Sequence, residues 1–304
     1  MTLFESLLII FLIVLIGCLC ARIKLFDDAK IEGFEVFLFK ISMPCYLFGS
    51  TLNYDFSVLL NPAYIFSYLA TFLLMCTIVF VCYWGNTLSE KCIRTLSASY
   101  VSSSIYTLPV IGFLFGDPKA PILGSLLQVI MIQPFFIIML SFNKHKEKTM
   151  LRRLLTPLCT PLIFIPILGM LCNHLHYRPA AVIMNVLENL GMGVSSMALF
   201  VFGLNLGSIR LNKSLKDKKV WFLVFMKNIM HPILAFFIGY KIFHLKGYWL
   251  SSLVISTSAP TALMVYFIAK QFSTDQHLSK MVLALSSFFS ITLLFFIVYF
   301  TQKI

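Results

Sequence analysis

The chain is 304 residues long, with 59% of its residues from the set AVILMFWYC and only 12% charged. Soluble domains carry roughly 45–50% apolar residues even with glycine counted, so this composition excludes a soluble globular protein and indicates an integral membrane protein. The net charge of +12 would suit nucleic acid or anionic lipid, but the basic residues gather in alternate loops, which makes them a topology signal and predicts no nucleic-acid partner.

Ten apolar windows of about 20 residues, the length a helix needs to cross a hydrocarbon core, fall at 3–20, 33–52, 62–84, 96–115, 120–141, 157–173, 181–206, 219–242, 248–270 and 279–300. The first contains Leu15, Ile16, Gly17 and Cys18, which resembles a lipoprotein cleavage box. A signal peptide needs a positive n-region, and the residues before this box hold Glu5 and no Lys or Arg. Residues 1–20 are therefore predicted to remain as a first helix. Loops after the odd-numbered spans hold sixteen Lys and Arg against five on the opposite side. The positive-inside rule then puts the odd-to-even loops in the cytoplasm and both termini on the non-cytoplasmic side of a plasma (inner) membrane.

The basic connection 142–156 divides the chain into 1–141 and 157–304, each holding five spans. An odd number makes the second half enter the bilayer from the opposite side, so the expected fold is all-α, with ten transmembrane helices as two inverted five-helix repeats. The fourth span of each half is interrupted. Ser102, Ser103, Ser104, Tyr106 and Thr107 precede Pro109, and Ser256, Thr257, Ser258 and Thr261 surround Pro260, 151 residues further on. Proline removes a backbone donor and crowds the preceding turn, which at membrane depth is tolerated where the freed groups meet protein or line a wet cavity. Two interrupted spans at corresponding places in two halves are the sequence mark of a transporter's binding site. Single Ser and Thr residues in membrane helices more often bond back to their own helix, so the weight rests on the two clusters.

Charges inside spans are expensive and so are functional candidates. Lys227, five residues before Pro232, is a candidate to hold an anion, and Glu188 in the seventh span is its candidate partner or a coupling group. Lys40, four residues before Pro44, sits near mid-span and is expected to face an aqueous cavity. His231 is a proton-relay candidate or a packed, hydrogen-bonded histidine. Gly203 and Gly207 form a G-x-x-x-G pair that brings helices together, in a helix pair of this chain or in a homodimer. The eight cysteines show no ligand or redox spacing, so neither a disulfide framework nor a metal or other cofactor is predicted.

Five segments carry a resemblance to the auxin efflux carrier family: F-L-F-K-I-S-M-P-C-Y-L-F-G-S-T-L in the second span, L-E-N-L-G-M-G-V-S-S-M-A-L-F-V-F-G-L-N-L in the seventh, M-K-N-I-M-H-P-I-L-A in the eighth, A-P-T-A-L-M-V-Y-F-I-A-K-Q-F in the ninth and V-L-A-L-S-S-F-F-S-I-T-L-L in the tenth. The similarity covers nearly the whole length and extends distantly to sodium-coupled bile-acid carriers. It implies crossed, unwound fourth and ninth helices, and carriage of small organic anions such as auxin, malonate or other carboxylates. It also implies an asparagine near each crossover proline. Here Ser102 and Met264 stand at those positions, so the pattern departs at both.

Together these features predict a secondary carrier for a small organic anion, working by alternating access at the crossover within the lipid bilayer. The membrane potential, about 2.3 kcal/mol per charge per 100 mV, can expel an anion unaided, with proton or sodium coupling as the alternatives. A ligand-binding receptor without net transport is the second reading. No P-loop is present, so direct ATP drive is not expected, and an enzyme is not expected because no aspartate dyad, H-E-x-x-H or G-x-S-x-G lies at membrane depth.

Overall fold

A computed structural model describes residues 3–52, 61–141, 161–208 and 217–301. Among these residues the chain is helical, and β pairing is limited to an isolated bridge. Six helical stretches among the described residues are long and apolar enough to cross a membrane: Glu5–Arg22, Pro62–Cys82, Lys119–Leu140, Ala181–Ser208, Lys218–Ile242 and Gln276–Phe300. The chain is thus a multi-pass membrane protein. The basic connection 142–156 lies outside the described residues. Two compact units emerge, one of Met1–Asn61, Ser104–Ile130 and Leu151–Ser208, the other of Pro62–Ser103, Met131–Met150 and Ile209–Ile304. Each draws on both halves of the sequence.

The first unit contains α1 (Leu3–Arg22), α2 (Asp28–Phe37), α3 (Met43–Leu52), α6 (Leu108–Phe115), α7 (Lys119–Leu127), α9 (Pro161–His174), α10 (Ala181–Gly191) and α11 (Val194–Ser208). Asp27 caps α2 by accepting from the Lys30 N–H at 2.9 Å, which satisfies one of the orphan donors of the first turn. The tightest packing is between α1 and α11. A Cβ on Gly17 would strike the Phe200 carbonyl, one on Gly203 the Val14 carbonyl, and one on Gly207 the Cys18 carbonyl. The G-x-x-x-G pair is therefore used inside the chain, against α1. The core of this unit gathers Leu38, Met43, Leu47, Leu108, Ile122 and Ala198. The seventh span, expected as one helix, is broken between α10 and α11. Met192 is extended there and Gly193 has φ +75°, a conformation that glycine adopts without the Cβ penalty.

The second unit contains α4 (Pro62–Cys82), α5 (Leu88–Ser99), α8 (Gln133–Ser141), α12 (Lys218–Phe225), α13 (His231–Phe237), α14 (Gly247–Ser258), α15 (Leu263–Gln271) and α16 (Gln276–Thr301). Thr87 and Glu90 form a reciprocal capping box at the start of α5, and Asp217 caps α12. Arg94, buried in α5, bonds Asp275 in the α15–α16 turn at 2.7 Å and Glu90 at 3.3 Å, with Tyr83 against its guanidinium face. Hydrogen bonds from Asn86 and Thr87, with the charge of Arg94, hold the Glu90 carboxyl below its usual value of 4.5.

Among the described residues five π-helical turns interrupt the α-helices, at Leu38–Ser42, Ser103–Thr107, Gln128–Ile132, Met226–Met230 and Ile238–Ile242. The first four each precede a proline by two residues: Pro44, Pro109, Pro134 and Pro232. The proline ring cannot bond the carbonyl four residues back and clashes with it. That carbonyl belongs to Lys40, Ile105, Ile130 or Asn228, the middle residue of its π turn. Widening the turn relieves the clash, and the Met43 and His231 N–H groups accordingly bond five residues back, to Leu38 and Met226.

Candidate functional site

The second unit holds both breaks, and they meet. After α5 the chain runs extended through Tyr100 to Ser102, and after α14 through Ala259 to Ala262. Val101 and Thr261 pair as an antiparallel bridge. The Ser102 N–H donates to the Pro260 carbonyl at 2.9 Å, and the Ala262 N–H to the Tyr100 carbonyl at 3.2 Å. Pro260 thus lies inside its break. Pro109 does not: it follows Ser102 by seven residues and belongs to the first turn of α6, so its effect is the π turn before it rather than the unwinding.

The backbone groups that the second break frees are met by side chains of the same unit. The Thr261 N–H donates to Ser286 Oγ at 3.1 Å, and the Thr261 hydroxyl to the Ser97 carbonyl at 2.6 Å. Ser290 Oγ donates to the Ser258 carbonyl at 2.7 Å and accepts from Asn228 Nδ2 at 2.7 Å. Asn228 also donates to the Ser286 carbonyl at 3.2 Å. Lys227, fully buried, donates to the Thr257 carbonyl at 3.2 Å, with His231 Nδ1 3.4 Å from its Nζ. The last carbonyls of α14 carry partial negative charge, which suits a donor at that place. Around the crossing, Tyr68 lies against Ser103, Tyr64 against Ser256, and the Tyr100 hydroxyl bonds Gln133 Oε1 at 3.1 Å.

In the first unit a cavity of about 360 Å³ opens beside the α10–α11 break, lined by Tyr46, Ser50, Glu188, Met192 and Gly193 among others. Its carboxylate and hydroxyls face a backbone turn, an arrangement able to hold a polar or cationic group.

The family model described as membrane transport protein, that of the auxin efflux carriers, matches residues 2–298. The chain belongs to the auxin efflux carrier family. A comparison with curated proteins gave no match. Membership makes this a transporter-family protein, and the family places no enzyme chemistry on it.

Of the residues singled out from the sequence of this family member, the second unit brings together Ser102, Ser103, Ser256, Thr257, Ser258, Pro260, Thr261, Lys227 and His231. Some of their hydroxyls serve the helix itself: Thr257 bonds back to Leu253 and Val254, and Ser258 to Ile255. Met264, at an asparagine position of the family pattern, is 40% exposed in the first turn of α15. Ser104, Tyr106, Thr107 and Pro109 belong to the first unit, where the Tyr106 ring packs edge-on against Phe202. Glu188 is also in the first unit, on the cavity wall, and Lys40 is exposed at the centre of its π turn. Sequence reasoning missed Asn228, Ser286, Ser290 and the Arg94 cluster. Asn228 adjoins Lys227, and Ser286 and Ser290 lie in the tenth-span segment, but the partners of these residues and of Arg94 lie 25 to 181 residues away, beyond what local pattern conveys.

Proposed function

We propose that this auxin efflux carrier family member is a secondary carrier of small organic anions, with its site at the crossing of the two broken helices. The observation that carries this reading is the break itself. Two extended segments cross at Val101 and Thr261, the N-terminal end of α15 opens there, and the buried Lys227 bonds the last turn of α14, which leads into the crossing. Helix N–H groups and a cation favour a carboxylate, and the flanking serine and threonine hydroxyls can follow it or a water. Alternating access then means that the unit holding the crossing presents it to each membrane face in turn. Two inverted five-helix repeats, 1–141 and 157–304, with both termini on the non-cytoplasmic side of the inner membrane, complete the proposal.

The departure from the family pattern at Ser102 and Met264 favours a second reading, a receptor that binds its ligand without moving it. Flux separates the two. In proteoliposomes loaded with a panel of labelled carboxylates, a carrier gives saturable counterflow. Pro260→Ala lets the segment rewind toward a continuous helix and should lower that counterflow at least tenfold while the protein still inserts and elutes as a single species. Ligand-induced thermal stabilisation with no flux in the unaltered protein would select the receptor instead.

A further inference from the structure

We propose that Lys227 and His231 are the carrier's proton site, so that each anion crosses the membrane with one proton. The inference rests on the anion-carrier reading above. Once protonated, Lys227 has three donors. In Lys227 one goes to the Thr257 carbonyl and one points at His231 Nδ1, which leaves a third and the whole charge for a ligand. No carboxylate lies within ion-pair distance of it among the described residues.

Among the described residues, the elements packed against this turn offer no other titratable partner. On α5, Glu90 and Arg94 are engaged with each other and with Asp275, and Cys92 is buried. On α12, Lys218 and Lys219 stand in the first turn, about 12 Å up the helix at 1.5 Å per residue. Tyr248 is at the far end of α14, while His277, Lys280 and Tyr299 sit toward the ends of α16. Of the titratable groups among the described residues, His231, 2% exposed, is the one within hydrogen-bond reach.

A buried charge without a counter-charge is strongly disfavoured, and an arriving carboxylate reverses that preference. The empty site therefore rests with the Lys227–His231 pair uncharged. Binding of an anion draws a proton onto the pair from the same aqueous phase. On release at the other face, the anion and proton leave together. For a monoanion the loaded and empty forms carry the same charge, so transport is electroneutral and an inward proton gradient drives uptake.

The test uses the full-length protein in proteoliposomes containing the pH dye pyranine, with labelled pyruvate and labelled malonate as probes. The expected result is one proton per anion, and pyruvate flux unchanged by an imposed potential, where an uncompensated charge would shift accumulation about fifty-fold per 100 mV. Lys227→Arg fixes the charge, so it should move pyruvate without protons and respond to potential. If that variant is inactive, His231→Phe removes an acceptor for the ammonium and should shift the uptake profile to lower pH by about one unit; an unmoved profile overturns the proposal. Anion flux in the unaltered protein with no proton movement also overturns it, while leaving the carrier reading intact. No flux of either probe, or of the wider carboxylate panel, sinks both.

Discussion

At the scale of single residues, the crossover contains serines of two kinds that sequence cannot separate. Ser287 donates to Leu283 of its own helix at 2.7 Å, a bond that competes with nothing distant. Ser290, three residues on, donates to the Ser258 carbonyl that the break has orphaned and also accepts from Asn228. Leaving a buried carbonyl without its donor costs about 1–3 kcal/mol, whereas losing a local helix bond costs far less. Ser290→Ala should therefore lower the unfolding midpoint in detergent by several degrees, taking roughly 2–4 °C per kcal/mol. Ser287→Ala, just as buried, should leave it nearly unchanged. Equal midpoints would mean that Ser290 is not what holds the break. The same contrast explains which site residues were legible. The clusters around Pro260 announce themselves as polar residues in an apolar span, but Ser258 and Thr261 take their partners from α16, and nothing near them in the sequence names those partners.

At the scale of elements, proline acts here in two ways. Pro260 lies within an extended break whose free groups are bonded across the crossing, whereas Pro44, Pro109, Pro134 and Pro232 each widen the preceding turn without opening the helix. Apolar windows and proline positions made both spans visible as interrupted, but the rule that proline frees the fourth carbonyl back does not say whether the chain answers with a π turn or an extended segment. Tertiary hydrogen bonds decide it, and those of Ser102 and Ala262 fix the first break at Tyr100–Ser102, where no proline stands. The G-M-G of residues 191–193 was the available signal for the break between α10 and α11, and the apolar run around it masked that signal. The π turn before Pro134 is one of two in which the chain changes unit, between Ile130 and Met131. A turn with i→i+5 bonding yields more readily than a regular helix. Pro134→Ala restores a donor for the Ile130 carbonyl and stiffens this segment. For a carrier that alternates, the expected outcome is slower counterflow, by about threefold to tenfold, with the half-saturating concentration little changed. A change confined to affinity would remove the turn from the transport cycle.

At the scale of the whole molecule, contacts inside each unit sort the loops by parity. In the first unit Asn205, near the end of the seventh span, bonds Glu35, near the start of the second, at 2.7 Å, and Gly207 packs on Cys18 and Ala21 at the end of the first. Asn173, ending the sixth, bonds the Leu52 carbonyl that ends the second. In the second unit Arg94 ties the start of α5 to Asp275, after the ninth span, and Tyr83, after the third, packs on Phe222 at the start of the eighth. Phe66 and Phe243 stack at the other end of that unit. Within each unit these contacts between described residues join odd-numbered loops to odd and even to even, as the ten-span expectation requires. The same parity separates sixteen basic residues from five, a charge bias that orients membrane proteins with the richer side in the cytoplasm. It follows that both termini should be outside. Alkaline phosphatase fused after Ile304 should be active in a bacterial host, and a fusion within the 143–153 connection inactive, with green fluorescent protein at the same two sites giving the reverse. Fluorescence from the C-terminal fusion would place an odd number of crossings in the described chain and dismantle the ten-span reading, because contact parity and charge parity would then disagree.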